Sequence, residues 1–161
     1  MHTDLTLRPL RADEFGAWSH HVTDEYARDI SQNGDTPPDI ARRNADEDMA
    51  RILPDGLATD GHFINALVLD GATVGTLWLA MRDAGRPTIF IYDIEIDEAY
   101  RGRGLGRAAM LLAEREARAL GIHRIELNVF GGNTVARNLY RSLGYVERAV
   151  QMGKDLDPPG T

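Results

Sequence analysis

The segment RGRGLGR, residues 101–107, alternates arginine and glycine between an apolar stretch and a helix-like pattern. Its glycines let the main chain turn tightly and let a ligand approach the backbone, because no Cβ atom stands in the way. Unpaired amides at the start of the following helix attract an anion, most often phosphate. The arginines add positive charge, so the segment predicts a pyrophosphate site. The alternative is a glycine-rich turn that carries surface arginines.

Two carboxylates come just before this turn, in the segment IYDIEID. Asp93 and Glu95 alternate with Tyr92, Ile94 and Ile96, so a regular strand would place both carboxylates on one face. A pair of carboxylates beside a pyrophosphate site offers candidates for proton transfer. The alternative is that both side chains line a solvated face.

The N-terminal third predicts the first elements that surround these residues. Residues 5–10 alternate as a short strand, and residues 12–31 show the three- and four-residue spacing of an amphipathic helix. A second helix is expected to begin near Pro37 and Pro38 and to end at the LPDG segment.

From residue 62 onwards the pattern of apolar residues predicts strands as well as helices. Residues 62–81 predict two strands joined at Asp70 and Gly71, a pair that tolerates positive φ, and IYDIEID belongs to a third strand. Beyond the glycines we expect a helix that stops at Gly121, a strand in residues 122–130, a further helix and a last strand in residues 145–152.

The resulting order, βααβββαβαβ, predicts an α/β (α+β) fold. We expect one domain over residues 1–161, with a mixed sheet of about six or seven strands flanked by helices. Its first 60 residues hold the helices, residues 62–152 hold the glycine segment and most strands, and residues 153–161 form a frayed tail.

Composition limits the functions that are open to this chain. It has 161 residues, no cysteine and a formal net charge of −7, which argues against non-specific binding of nucleic acid. Residues 1–60 hold 13 acidic residues against 6 arginines, which fits either a solvated helical face or a rim that attracts a cationic substrate. Neither a membrane span nor a signal peptide is evident, so a cytoplasmic location is expected.

Two motifs in the C-terminal half together resemble the GNAT acetyltransferase superfamily. Residues 94–106, IEIDEAYRGRGLG, are similar to its coenzyme A pyrophosphate loop, in which Arg101, Gly104 and Gly106 match the signature. Residues 133–145, NTVARNLYRSLGY, are similar to the superfamily's later helix. The resemblance covers roughly residues 62–152, whereas the N-terminal helices fall in the region that varies with the acceptor.

The resemblance implies transfer of an acetyl group from acetyl-CoA to a primary amine of a small molecule or peptide. It implies that a base or a water chain takes the amine proton, for which Glu95 and Asp93 are the candidates, and that Tyr140 protonates the departing thiolate. Glu95 is preferred because it is nearer the turn, where flanking apolar residues would raise its pKa. Tyr92, Asp93 and Asn128 are expected on the acceptor side. The residues implied for the cofactor are Ile94, Ile96, Arg101, Gly102, Arg103, Gly104, Leu105, Gly106, Arg107 and Asn133.

Other interpretations remain open from the sequence. The same fold could serve as a non-catalytic acyl-CoA binding or sensor module. A dinucleotide fingerprint can also be placed on Gly104, Gly106 and Ala109, which would indicate an NAD(P)-dependent oxidoreductase. Adjacent His20 and His21 would point about 100° apart on a helix, so no metal site is expected. Neither a nucleic-acid partner nor a membrane is expected, and a homodimer is left open.

Overall fold

The computed structural model describes residues 4–83 and 85–157 of the chain. It divides into two compact units, Met1–Phe130 and Gly131–Thr161, and each is described on its own. Residues 158–161 of the expected frayed tail lie outside the described residues. Within the described ranges, no helix has the length and apolar character needed to cross a bilayer.

The first unit contains five strands and three helices among its described residues. The strands are β1 (Leu5–Pro9), β2 (His62–Leu69), β3 (Ala72–Asp83), β4 (Pro87–Ile96) and β5 (Ile125–Leu127). The helices are α1 (Ala12–Gly34), α2 (Pro38–Ile52) and α3 (Leu105–Ala119). Single 3-10 turns occur at Gly56–Ala58 and Glu98–Tyr100.

The strands form one mixed sheet in the order β1-β2-β3-β4-β5. The first three pairings are antiparallel, and β5 runs parallel to β4. Asp70 and Gly71 close the hairpin between β2 and β3 with φ of 51° and 82°, as the sequence predicts. Because the sheet ends at β5, the described chain has five strands, and the expected six or seven are not formed.

The expected last strand, residues 145–152, has no strand structure. Its apolar side chains are largely exposed: Val146 at 72%, Val150 at 67% and Met152 at 89%. A strand requires hydrogen bonds to a neighbouring strand, and this segment, although its residues are β-favouring, forms no ladder. The order of elements otherwise follows the prediction, without the final β.

A cluster of buried apolar side chains holds α1 and α2 on the sheet. It consists of Trp18, Val22, Met49, Leu53, Ile64 and Trp78. The rings of Trp18 and Trp78 meet edge to face with centroids 5.3 Å apart, a geometry that adds to their burial. This contact fixes the rotation of α1 about its axis, and therefore decides which α1 side chains lie over the end of β4.

The third helix, α3, begins directly after the glycine segment. Leu105, Ala109, Met110, Leu112, Ala113 and Ala117 form its buried stripe. This helix packs against β1, β3 and β4. Since Leu105 at its first position is only 2% exposed, packing anchors the start of the helix beside the end of β4.

The second unit contains one helix, α4 (Thr134–Ser142), among its described residues. Asn133 precedes it, and the Asn133 Oδ1 atom accepts a hydrogen bond from the Ala136 amide at 3.2 Å, a typical N-cap. Gly144 ends the helix with a φ of 91°, and its amide donates to the Arg141 carbonyl at 3.0 Å. These two residues give α4 a capped start and a glycine stop.

Candidate active site

The glycine segment forms a turn that leads directly into α3, with two of its glycines in the left-handed backbone region. Gly102 and Gly104 have φ of 75° and 76°, a backbone conformation that costs other residues free energy. Gly104 is the N-cap of α3, and Gly106 lies in the first turn of that helix. A Cβ atom built on Gly102 or Gly104 would meet no described atom within 4 Å, so this side of the turn is open.

The surroundings of the turn fit an anionic ligand. No acidic residue occupies the first turn of α3, whose first amides lack partners within the helix. Arg101 Nε donates to the Ile96 carbonyl at 2.8 Å, and Arg103 Nη2 donates to the Ala99 carbonyl at 3.3 Å. Arg101 and Arg103 are therefore hydrogen-bonded to main-chain carbonyls just before the turn. Arg107 lies exposed in the first turn of α3.

A β-bulge interrupts β4 just before the turn. Trp78 on β3 pairs with Asp93, but Leu79 pairs with Ile91, so Tyr92 is an extra residue. The Tyr92 ring stacks on Trp78 with centroids 4.6 Å apart and an interplanar angle of 19°. Because directly opposed residues share a face, Tyr92 and Asp93 both lie towards Trp78 and do not alternate as a regular strand requires.

The carboxylate of Glu95 lies against a histidine from α1. His21 Nε2 is 2.9 Å from Glu95 Oε1 and 2.8 Å from Oε2, and Arg101 Nη2 is 3.7 Å from Oε1. Burial lowers the pKa of His21, but its hydrogen bond to Glu95 and the charges of Glu95, Glu25 and Asp93 outweigh the effect of burial, so the pKa is raised. Glu95 is thus held between α1 and the glycine turn.

The sequence alone does not single out His21 as a site residue. Its partner is 74 positions away along the chain, and no motif connects the two. One signal was available: His21 follows Trp18 by three residues and precedes Val22, so it borders the buried stripe of α1. A polar residue at that border of an apolar stripe is placed to reach the sheet on which the helix packs.

Asp93 differs from Glu95 in its surroundings. Its Oδ2 atom is buried and has no hydrogen-bond partner among the described residues. Burial, and then the nearby charge of Glu95, raise the pKa of Asp93 to about 7 although His21 opposes this shift. The two carboxylates therefore occupy one region but differ in solvation, since the Glu95 side chain is 25% exposed and hydrogen-bonded.

The β4 and β5 strands separate beside the bulge. Their parallel pairing covers only Ile89 to Ile91 against Ile125 to Leu127. The β5 side of β4 from Ile94 to Ile96 is therefore not covered by that strand, which leaves room for main-chain amides to meet a ligand. Asn128 follows β5 and is exposed.

An open depression lies between α1, the end of β4 and the turn. Its lining residues are His21, Glu25, Arg28, Glu95, Asp97, Glu98 and Arg101. Four of these seven side chains are carboxylates, so the depression suits a cationic molecule. Arg101 belongs both to this wall and to the glycine turn, which makes the two features neighbours.

Tyr140 and Asn133 lie in the second unit. The half-buried Tyr140 ring has its centroid 6.0 Å from that of Tyr145, at an angle of 54°. Asn133 caps α4. Tyr140 stays a predicted proton donor and Asn133 a predicted cofactor contact.

The two adjacent histidines belong to separate pairs. His20 Nε2 is 3.2 Å from Asp24 Oδ2, whereas His21 contacts Glu95. Within residues 4–83 and 85–157, no group of three or more His, Cys, Asp or Glu side chains could hold a metal ion.

The glycine turn, the bulge and the second motif fall within one family match. A model of the acetyltransferase (GNAT) family matches residues 15–145. The chain belongs to the GNAT acetyltransferase family. It is similar to YycN, an uncharacterized N-acetyltransferase of Bacillus subtilis strain 168, at 33% identity over 94% of this chain and 99% of YycN.

Solved structures agree with this GNAT assignment. The structure of Bacillus subtilis YycN matches with a TM-score of 0.91 and 32% identity, covering 96% of this chain and 99% of YycN. A predicted acetyltransferase from Clostridium acetobutylicum, solved with acetyl-CoA, shares the fold with a TM-score of 0.65 and 16% identity. That match covers 94% of this chain and 96% of the other.

The fold also decides against the dinucleotide interpretation of Gly104, Gly106 and Ala109. A dinucleotide-binding fingerprint normally opens a mostly parallel βαβαβ array. Here three antiparallel pairings precede the turn and β4–β5 is the one parallel pairing in the described sheet. This GNAT chain is an N-acetyltransferase by family and by fold.

Proposed function

We propose that this GNAT enzyme transfers an acetyl group from acetyl-CoA to a primary amine. The observation that carries the proposal is the position of Glu95. Its carboxylate lies near Arg101 of the glycine turn and contacts His21, and all three residues line the acidic depression. A donor on the turn and an amine in the depression would therefore be adjacent. The acetyl-CoA in the Clostridium acetobutylicum neighbour is consistent with this donor.

The glycine turn has the features that a pyrophosphate requires. Its positive-φ glycines leave the main chain open, and the first amides of α3 point to the same region. We propose that residues 102–106 contact the pyrophosphate through main-chain amides, with Arg101, Arg103 and Arg107 adding positive charge. Bound acetyl-CoA would supply a thioester, and Ile94 and Ile96 would present main-chain groups to it.

Glu95 is proposed as the group that removes the proton from the acceptor. A primary amine with a pKa of about 10 is mostly protonated at neutral pH and must lose a proton before it can attack a thioester. Glu95 is ordered by His21 and remains a quarter exposed, so an amine in the depression can reach it. Asp93 has a raised pKa and a buried Oδ2 atom, which favours a role beneath the acceptor for it.

The acceptor is proposed to carry positive charge. The depression holds Glu25, Glu95, Asp97 and Glu98 against Arg28, Arg101 and His21. Arg28 is paired with Glu25, and Arg101 lies near Glu95, so part of this negative charge is already balanced. A small molecule or peptide amine with a second cationic group would interact with the negative charge that is not balanced.

A thiol-release assay with acetyl-CoA and a panel of amines tests this function directly. We expect release that depends on the amine and is greatest for acceptors with more than one positive charge. Binding of acetyl-CoA without release for any amine would instead support a non-catalytic acyl-CoA module.

Tyr140 provides a second test, because the later motif implies that it protonates the departing thiolate. Tyr140→Phe should lower kcat by roughly 10²-fold or more and keep acetyl-CoA affinity. Tyr145→Phe removes a hydroxyl from the neighbouring ring in the same unit and is the matched control. Equal effects of the two substitutions would remove Tyr140 as the proton donor.

A further inference from the structure

His21 from α1 contacts the carboxylate of the proposed base, Glu95. Its Nε2 atom lies almost equally far from the two oxygens of Glu95, at 2.9 and 2.8 Å. The Arg101 guanidinium is more distant, at 3.7 Å from Oε1. The position of α1, fixed by Trp18 against Trp78, delivers this imidazole to the carboxylate.

We propose that His21 is a positioning residue for Glu95, holding the carboxylate towards the acceptor and, through its own gain and loss of a proton, making turnover depend on pH. The proposal rests on the proposed function, because it assigns a partner to the base of that reaction. It makes His21 necessary for turnover without making it a contact of acetyl-CoA.

The chemistry of the contact fixes which nitrogen carries hydrogen. An ionised carboxylate only accepts hydrogen bonds, so Nε2 must carry the hydrogen that Glu95 receives. Nδ1 is then the nitrogen that gains or loses a proton as pH changes. His21 is half exposed, with 51% of its side chain accessible, so exchange of the Nδ1 proton with water is open.

The two forms of His21 affect Glu95 differently. Imidazolium forms an ion pair that stabilises the carboxylate and makes it a weaker base. Neutral His21 keeps the Nε2–H hydrogen bond, and therefore the orientation, but removes the positive charge. Glu95 should thus accept the amine proton more readily once Nδ1 has released its own proton to water.

Other charged groups around His21 shift the pH at which its Nδ1 atom loses a proton. Glu25 from α1 stabilises imidazolium, as does Asp93 from β4 once it is ionised, and Arg101 from the turn faces the Glu95 carboxylate. Glu25 and Asp93, together with Glu95, outweigh the effect of burial and raise the His21 pKa above its ordinary value. The increase of kcat with pH should therefore occur at a higher pH than that at which a histidine ordinarily loses its proton.

Two substitutions separate orientation from titration. His21→Gln keeps a side-chain N–H donor but cannot titrate, whereas His21→Ala removes both. For His21→Ala we expect kcat to fall about ten- to a hundredfold, with an unchanged KM for acetyl-CoA. For His21→Gln we expect most of the rate to return while the pH dependence assigned to His21 disappears.

His20→Gln is the matched control, since His20 is the adjacent histidine of α1 and pairs with Asp24. It should leave kcat and the pH profile as in the wild type. If His21→Gln has the wild-type pH profile, or if His20→Gln changes it equally, the proposal is wrong.

An NMR titration of the histidine side-chain nitrogens tests the pair without any turnover. We expect His21 to be protonated at Nε2 in both forms and its pKa to fall in Glu95→Gln. A His21 pKa that is the same in both proteins would overturn the proposal even if acetyl transfer is observed. If acetyl transfer fails but the pKa shifts, the His21–Glu95 pairing is retained and the proposed function is the part that is wrong.

Discussion

Gly75 on β3 lies so close to Glu95 on β4 that a Cβ atom at position 75 would stand 2.1 Å from the Glu95 carbonyl oxygen. Gly75 pairs with Ile96, and the next residue, Thr76, pairs with Glu95. The absence of a side chain at position 75 therefore allows the two strands to meet where the proposed base is held. We infer that Gly75 sets the position of Glu95 relative to His21.

Gly75→Ala should force the two backbones apart. Relief of this clash is expected to cost about 1–3 kcal/mol of unfolding free energy and to lower kcat, because Glu95 would move away from His21. Chemical denaturation and steady-state kinetics measure the two effects. Gly16→Ala in α1 is the control, since its Cβ would meet no described atom within 4 Å and alanine favours the helix. Wild-type kcat in Gly75→Ala would contradict this role.

Gly104→Val should weaken binding of acetyl-CoA strongly. Its φ of 76° disfavours a β-branched residue, and the side chain would occupy the open side of the turn. Isothermal titration calorimetry with coenzyme A measures the loss, which we expect to be at least tenfold in Kd.

Gly71→Val is the matched control for this substitution. Gly71 has a φ of 82° in the β2–β3 hairpin and equally open surroundings, so it carries the same backbone strain away from the glycine turn. The hairpin variant should lose stability but bind coenzyme A as the wild type does. Unchanged affinity in folded Gly104→Val would reject the turn as the pyrophosphate site.

Asp93 should make the protein less stable as pH rises. Burial, followed by the charge of Glu95, raises its pKa to about 7 from an ordinary value of 3.8, so the folded state holds a proton that the unfolded chain releases. Its contribution to stability is complete below about pH 4 and is lost as pH rises towards 7, by at most about 1.4 kcal/mol per pH unit.

Asp93→Asn should remove this dependence. The unfolding free energy of the variant, measured by urea denaturation between pH 4 and 8, should fall less steeply than that of the wild type. Asp55→Asn, at an exposed position, should keep the wild-type slope. Identical slopes for Asp93→Asn and the wild type would show that Asp93 does not retain its proton in the folded state.

Local sequence signals predicted most of the fold. The spacing of Trp18 and Val22 indicated α1, Asp70 and Gly71 indicated the hairpin, and Gly121 indicated the end of α3. These features depend on residues close together in the chain. The strand expected at residues 145–152 would need a neighbouring strand to pair with. The apolar composition of the segment does not reveal whether such a pairing forms.

The site was predictable in part for the same reason. The glycine turn is a continuous motif, and its backbone conformation follows from its glycines. The contact between His21 and Glu95 joins positions 74 residues apart, and the Tyr92 bulge depends on the register of β3 against β4. The contact leaves no local pattern and required the three-dimensional structure, which also located the bulge at Tyr92.

The acidic depression should increase the rate at which a cationic acceptor binds. Asp97→Asn combined with Glu98→Gln removes two of its charges. We expect kcat/KM for a dicationic amine to fall several-fold at low salt, with a smaller loss at high salt, because ions screen the attraction.

Asp39→Asn combined with Glu47→Gln is the control for the depression. It removes the same charge from exposed positions of α2 that do not line the depression. This control should change kcat/KM little. If both double variants lose rate equally, net charge and not the depression attracts the acceptor.

The pH dependence of kcat in Glu95→Gln tests the central proposal most directly. Glutamine keeps the size of the side chain and cannot accept the amine proton. We predict that kcat falls by about 10²- to 10⁴-fold and that the rise in rate with pH is flattened, while calorimetry shows wild-type affinity for acetyl-CoA. A Glu95→Gln enzyme with the wild-type pH profile and kcat would contradict the account.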